Sequence, residues 1–189
     1  MRPRDEPRRI EAVRLVGFGP PPPLSLQDLA ARVSRRVAVA CRFEPFSDAE
    51  ELPLIPGRDQ VCADRLLARL EGEPIEPGAV RVGLVGVDIA IPIFTFVFGR
   101  ARSGGHAAIV STARLDPRFY GLPGNAALMA RRTVDEILHE LGHIAGLQHC
   151  VLPDCLMHFA GTVEQVDVRG SEFCPRCAAH LPGTRPAAG

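Results

Sequence analysis

The chain of 189 residues contains no lysine: its 22 basic residues are all arginine, and 22 acidic residues balance them. With no net charge it has neither the basic footprint that a nucleic acid demands nor the polybasic arm that an anionic membrane attracts. Bulk charge therefore selects no partner, and a site must. Exclusive use of arginine alongside 18 prolines and 18 glycines reads as coding bias rather than phosphate recognition. No apolar run approaches the roughly 20 residues of a membrane span. The opening MRPRDEPRRIEAVRLVGFGP is broken by charges and lacks the continuous apolar stretch of a secretory signal. A cytoplasmic monomer is the expectation, and in a reducing compartment six cysteines read as thiols or metal ligands rather than disulfides.

What is present suffices for one core, with 46% of positions hydrophobic, and is short for two domains. Ser25 caps a helix whose Leu26, Leu29, Ala30 and Val33 share a face. Residues 37–41 read as a first strand and residues 59–70 as a helix ended by Glu71-Gly72. Residues 80–89 form a nearly all-apolar run, as in a strand buried on both faces of a parallel sheet. Residues 93–98 and 106–111 read as an antiparallel pair joined through Gly104-Gly105. From Asn125, a cap, to Ala145 the spacing of Val134, Ile137, Leu138, Leu141 and Ile144 predicts one long helix. The segment after Gly146 is loop-rich, is expected to bury little core, and is expected to need a metal. Residues 185–189 read as a disordered tail, and no internal repeat is present. The expected fold class is α/β (α+β), a twisted mixed sheet with an antiparallel edge strand.

The chemistry concentrates in His139-Glu140-Leu141-Gly142-His143. Imidazoles four residues apart on a helix lie about 6 Å apart along its axis on nearly one face, so both can reach one zinc ion. Glu140, turned about 100° from His139, can stand beside a zinc-bound water instead of on the metal, which is where a general base belongs. His149, six residues past His143, would face away on a continued helix. Gly146 permits a left-handed stop that turns the chain back and brings the third imidazole in. Three protein ligands leave one tetrahedral position for water, the mark of a catalytic rather than a structural zinc. The string H-E-x-x-H-x-x-G-x-x-H is the extended metzincin signature, and Met157, eight residues on, suits the methionine turn beneath such a site.

Cys150, Cys155, Cys174 and Cys177 supply four soft ligands in two close pairs, which suits a closed structural zinc site. A redox C-x-x-C is the alternative, but no thioredoxin-like strand-helix context surrounds Cys174. Cys41 and Cys62 lie in apolar contexts and read as small buried hydrophobes.

Together these residues, with Phe96-Val97-Phe98-Gly99 and residues 111–115 upstream, resemble the archaemetzincins. The resemblance covers about half the chain. Sixteen residues separate Met157 from Cys174, one fewer than the family pattern, and Thr95 stands where relatives carry Asn. It implies a single metzincin-like catalytic domain: residues 1–146 as an upper part ending in the active-site helix, and residues 147–189 as a lower part with the methionine turn and the cysteine zinc, divided by a cleft. It also implies two zinc ions and a peptide or protein substrate. The expected reaction is peptide hydrolysis by Glu140-assisted attack of a zinc-bound water, whose pKa falls toward about 7 on such a site. For a further oxyanion donor the chain offers its one tyrosine, Tyr120, upstream of the helix, and His158 beside Met157, which reads more readily as a solvent-exposed histidine; the substrate is expected to pair with the strand at residues 106–111. The rival expectations are a peptide-recognition protein with little turnover, and an amidohydrolase acting on a small amide.

Overall fold

A computed structural model describes residues 9–20, 22–44 and 52–181. Five strands form the main sheet: β1 (Ala12–Phe18), β2 (Ala40–Glu44), β4 (Ala79–Val85), β6 (Gly99–Ala101) and β7 (Ala107–Ser111). Their order is β2-β1-β4-β7-β6. All neighbours are parallel except β6, the antiparallel edge. Two short strands, β3 (Val61–Cys62) and β5 (Ile89–Ala90), form a separate parallel pair.

Side-chain alternation gives the central strands two apolar faces. Val13, Leu15, Val80, Val82, Leu84, Ala108 and Val110 pack with helices α1 (Leu26–Val37) and α3 (Ala126–Ile144) on one side. Val16, Phe18, Val85, Ala107 and Ile109 pack with α2 (Ala63–Gly72) on the other. Strand β4, between β1 and β7, is buried along almost its whole length, as its apolar run predicts. Ser25 caps α1 through the Asp28 amide at 3.2 Å, and Asn125 caps α3 through the Leu128 amide at 3.0 Å.

Several expectations need correction. The first strand is β1, within a segment where Arg14 and Gly17 interrupt the apolar pattern; Arg14 is paired with Glu44 and Glu76. Residues 37–41 are not one strand. Leu29, Val33 and Val37 lie at helical spacing, so α1 continues to Val37, Ala38 turns left-handed at φ 52°, and β2 begins at Ala40. Helix α2 starts at Ala63 because Val61 and Cys62 pair with β5. The long apolar run breaks after Val85 and resumes as β5. Residues 93–98 form turns rather than a strand, and the antiparallel partner of β7 is β6.

The segment after α3 is less hollow than expected. Leu156, Met157, Val163, Val166 and Phe173 join the same core as α1 and α3, with α4 (Val163–Val168) and α5 (Pro175–Ala178) as its short helices. Residues 185–189 lie outside the described residues. Among those described, no helix is long and apolar enough to cross a membrane.

Candidate metal centres and active-site cleft

Helix α3 carries His139, Glu140 and His143, and its end is a Schellman stop. The Gly146 amide donates to the His143 carbonyl at 3.0 Å and the Leu147 amide to the Gly142 carbonyl at 2.9 Å. Gly146 itself sits at φ 94°, the left-handed conformation the sequence predicts. The turn returns His149 to the helix. The donor atoms of His139, His143 and His149 all lie within 4.8 Å of one another, and the Nε2 atoms of His139 and His143 are 3.2 Å apart.

Backbone carbonyls fix the outer nitrogens. Nδ1 of His139 donates to the Leu156 carbonyl at 2.9 Å, and Nδ1 of His143 to the Leu147 carbonyl at 2.8 Å. This tautomer leaves Nε2 of each ring free for a metal. Burial and then the nearby Arg169 charge push the His139 pKa well below 6.5, and burial lowers His143 and His149 also. Neutral imidazole, the ligating form, is thereby favoured.

Glu140 is buried, and its Oε2 has no hydrogen-bond partner. Burial first, and the Glu136 charge second, raise its pKa well above the ordinary carboxylate value. A carboxylate so placed is costly unless something cationic or a proton donor faces it. Gly99 of β6 makes the space for it, since a Cβ there would overlap Glu140 Oε1.

Met157 lies fully buried against the helix between the two histidines. A Cβ built on Gly142 would overlap its Sδ. Gly142→Ala is therefore expected to destabilise, although helix propensity alone would favour alanine by up to about 1 kcal/mol. Overpacking of this kind costs about 1–3 kcal/mol. The corresponding fall in Tm is roughly 2–12 °C, and thermal unfolding reads it. An unchanged Tm would mean that Met157 gives way easily and does not brace the histidine turn.

The sulfurs of Cys150, Cys155, Cys174 and Cys177 form a second buried cluster with ligand atoms within 4.8 Å of one another. Sγ of Cys150 and Sγ of Cys174 are 4.0 Å apart, near the ~3.8 Å edge of a tetrahedron with metal–sulfur bonds of about 2.3 Å. All four are free thiols. Against the opposing effect of burial, hydrogen bonds from the Cys177 backbone and the neighbouring thiols pull Cys174 down to about 7, while burial pushes Cys155 and Cys177 up. The cluster cannot hold several thiolates without a cation, and a soft divalent ion suits the set.

A cleft of about 430 Å³ opens over the histidines. Phe94, Phe96, Phe98 and Arg100 line one side, and Phe159 and Gly161 the other. Its floor holds an ion pair that sequence reasoning missed: Arg169 Nη2 donates to Glu136 Oε1 at 2.5 Å, both groups buried. Glu136, three residues before His139, shares the histidine face and could have been noticed; Arg169 lies 33 residues away and gives no local signal. His158 turns its Nδ1 to the Cys150 carbonyl at 2.9 Å, and neither it nor Tyr120 lines the cleft. Strand β7 has neighbours on both sides, so among the described residues the sheet edge that lines the cleft is β6 and not residues 106–111.

Comparisons with known proteins agree with this arrangement. The model of Peptidase family M54 matches residues 76–182. The archaemetzincin of Thermococcus kodakarensis is 40% identical over 127 residues, covering 67% of this chain and 68% of that protein. The archaemetzincin of Pyrococcus horikoshii is 43% identical over 100 residues, and the match spans about half of its length, 53%. Among solved structures, archaemetzincin from Methanopyrus kandleri superposes with a TM-score of 0.79 at 32% identity, over 96% of this chain and 97% of that one. The Archaeoglobus fulgidus archaemetzincin in complex with malonate gives 0.74 at 27% identity, over 90% and 99%. On a family match spanning more than half its residues and a fold shared almost end to end, the chain belongs to Peptidase family M54.

Proposed function

We propose that the protein is a zinc-dependent peptidase with two zinc ions, a catalytic one on His139, His143 and His149 and a structural one on Cys150, Cys155, Cys174 and Cys177. The observation that carries the reading is the unpartnered, buried Oε2 of Glu140 beside three imidazoles whose donor atoms converge. Carboxylate and imidazoles share one open cleft.

His139, His143 and His149 would hold the catalytic zinc, which would supply Lewis-acid polarisation of the scissile carbonyl and of a water molecule. Glu140 Oε2 takes a proton from the attacking water and returns it to the leaving amine nitrogen. The apolar wall of Phe94, Phe96 and Phe98 limits access of bulk water to this exchange. An extended peptide pairs with the edge strand β6, whose Gly99 brings the backbone close to Glu140. The domain divides at about residue 146 into an upper part bearing the helix and β6 and a lower part bearing the cysteines. The cleft, lined by residues 94–101 and 159–161, adjoins the edge strand β6, and a peptide, unlike a small amide, could use that strand as well as the metal site. The reduced thiols of the second cluster suit a cytoplasmic setting.

Elemental analysis of freshly purified protein is expected to give two zinc ions per chain. A value near one, or iron in place of zinc, would contradict the two-site assignment.

A further inference from the structure

The upper wall of the cleft has almost no backbone ladder of its own. Between Pro92 and Phe98, the Phe94 amide reaches the Ile91 carbonyl at 3.1 Å and the Val97 amide the Ile89 carbonyl at 3.0 Å. At its end the Ser111 amide reaches the Phe98 carbonyl at 2.8 Å, and side chains from distant segments supply further bonds. Asp88 stands at their centre. Its carboxylate accepts Arg114 Nε at 2.8 Å, Arg114 Nη2 at 2.7 Å and Gln60 Nε2 at 2.7 Å. Gln60 Nε2 also donates to the Thr95 carbonyl at 2.9 Å, and Arg58 donates to the carbonyls of Phe94 and Thr95.

The guanidinium of Arg114 lies over the Phe96 ring, 3.9 Å from its centre, and 4.7 Å from that of Phe119. Phe96 meets Phe98 edge-on at 5.3 Å, and Phe98 belongs to the main core. Phe96 and Thr95 line the cleft, whereas Gln60, Asp88 and Arg114 stand behind them. Both members of the ion pair are largely shielded, with side-chain exposures of 22% for Arg114 and 14% for Asp88. A guanidinium is suited to this place because its fork matches a carboxylate while its flat face stacks on an aromatic ring; an ammonium does neither as well.

We infer that Arg114 is a positioning residue: clamped by Asp88, it sets where the Phe96 ring stands in the cleft wall, and so how closely the site grips an apolar side chain of a bound peptide. This rests on the peptidase reading above. A clamp serving only the stability of the fold would shift thermal stability and zinc content. One serving the wall shifts KM while kcat, which depends on Glu140 and the histidines, stays put.

The test uses zinc-loaded full-length protein and a quenched fluorescent peptide with phenylalanine beside the scissile bond. Arg114→Met keeps the apolar stem and removes the fork; it is expected to raise KM about tenfold and to hold kcat within about twofold. Arg114→Lys is expected to resemble Met rather than the parent. Gln60→Ala, at a half-buried position, removes the bonds to Asp88 and to the Thr95 carbonyl; it is expected to raise KM by a smaller factor and carries the test if the Arg114 variants fail to fold. An unchanged KM in all three, or parental behaviour of Arg114→Lys, would overturn the inference. Binding of the same peptide to zinc-loaded Glu140→Ala protein, with and without Arg114→Met, reads the wall without turnover by fluorescence anisotropy. About tenfold weaker binding is expected, and equal binding overturns the clamp. A parent that binds the peptide but never cleaves it would contradict the peptidase reading while this comparison still decides the clamp. A parent that does neither would overturn both.

Discussion

Glu140→Ala is expected to lower peptide hydrolysis by roughly 10²- to 10⁴-fold while both metal clusters and the fold persist. The size follows from the role proposed for this carboxylate, carrying a proton from water to the leaving amine, with the imidazoles untouched. The fold should tolerate it for a physical reason. Glu140 is buried with Oε2 unpartnered and a strongly raised pKa, so in the absence of a metal its ionised form already costs free energy, and deleting it removes that cost. His139 and His143 keep their carbonyl anchors, which come from Leu156 and Leu147 and not from Glu140. Metal analysis, thermal unfolding and peptide turnover on the same preparation check it. Loss of metal from the histidine site in step with activity would show that Glu140 acts as a ligand.

Cys174→Ser together with Cys177→Ser is expected to weaken zinc affinity at the histidine site by roughly 10- to 100-fold, although neither residue belongs to it. Adjacency of His149 and Cys150 is one route of coupling, already apparent in the sequence. The structure adds a second. Leu156, between Cys155 and Met157, presents the carbonyl that fixes His139 Nδ1 at 2.9 Å, and the Cys150 amide bonds the Met157 carbonyl at 2.8 Å. Loosening the sulfur cluster therefore disturbs two of the three imidazoles. Complete loss is not expected, because Leu156, Met157, Val163, Val166 and Phe173 tie the same segment to the main core. Helix α3 should stay folded, its buried face resting on the sheet and on α1. A zinc titration alongside helical content reads the effect. Parental affinity with an empty cysteine site would mean that the core alone positions His149 and Leu156.

The centre of the site was legible because its geometry is local. Four-residue spacing on a helix fixes His139 against His143, and a single glycine fixes where the helix stops, so both follow from helix geometry and chain stereochemistry. The cysteine cluster was legible as chemistry, since four close-spaced soft ligands have few other uses. What surrounds these residues was not legible, because it depends on contacts between distant segments. The turns at residues 93–98 read as a strand from their apolar character, but Pro92 precedes them and Arg58, Gln60 and Arg114 hold them. Strand β1 was hidden by Arg14, whose charge is answered by Glu44 and Glu76 from other parts of the chain. The Glu136–Arg169 pair joins α3 to a residue that no periodicity marks. In the last segment the core residues are spaced too irregularly for a helix or strand pattern, so their burial beneath the site appears only in three dimensions.

The central claim is that this cleft hydrolyses peptide bonds with zinc and Glu140 acting together. Its most direct measurement is mass-spectrometric digestion of a defined peptide mixture by protein carrying two zinc ions, beside the same protein stripped by a chelator, restored with zinc, and altered to Glu140→Ala. New peptide termini should appear with the parent, vanish on stripping, return with zinc, and be absent from the variant. Product that forms equally with Glu140→Ala, or a fully zinc-loaded parent that yields none, would contradict the account.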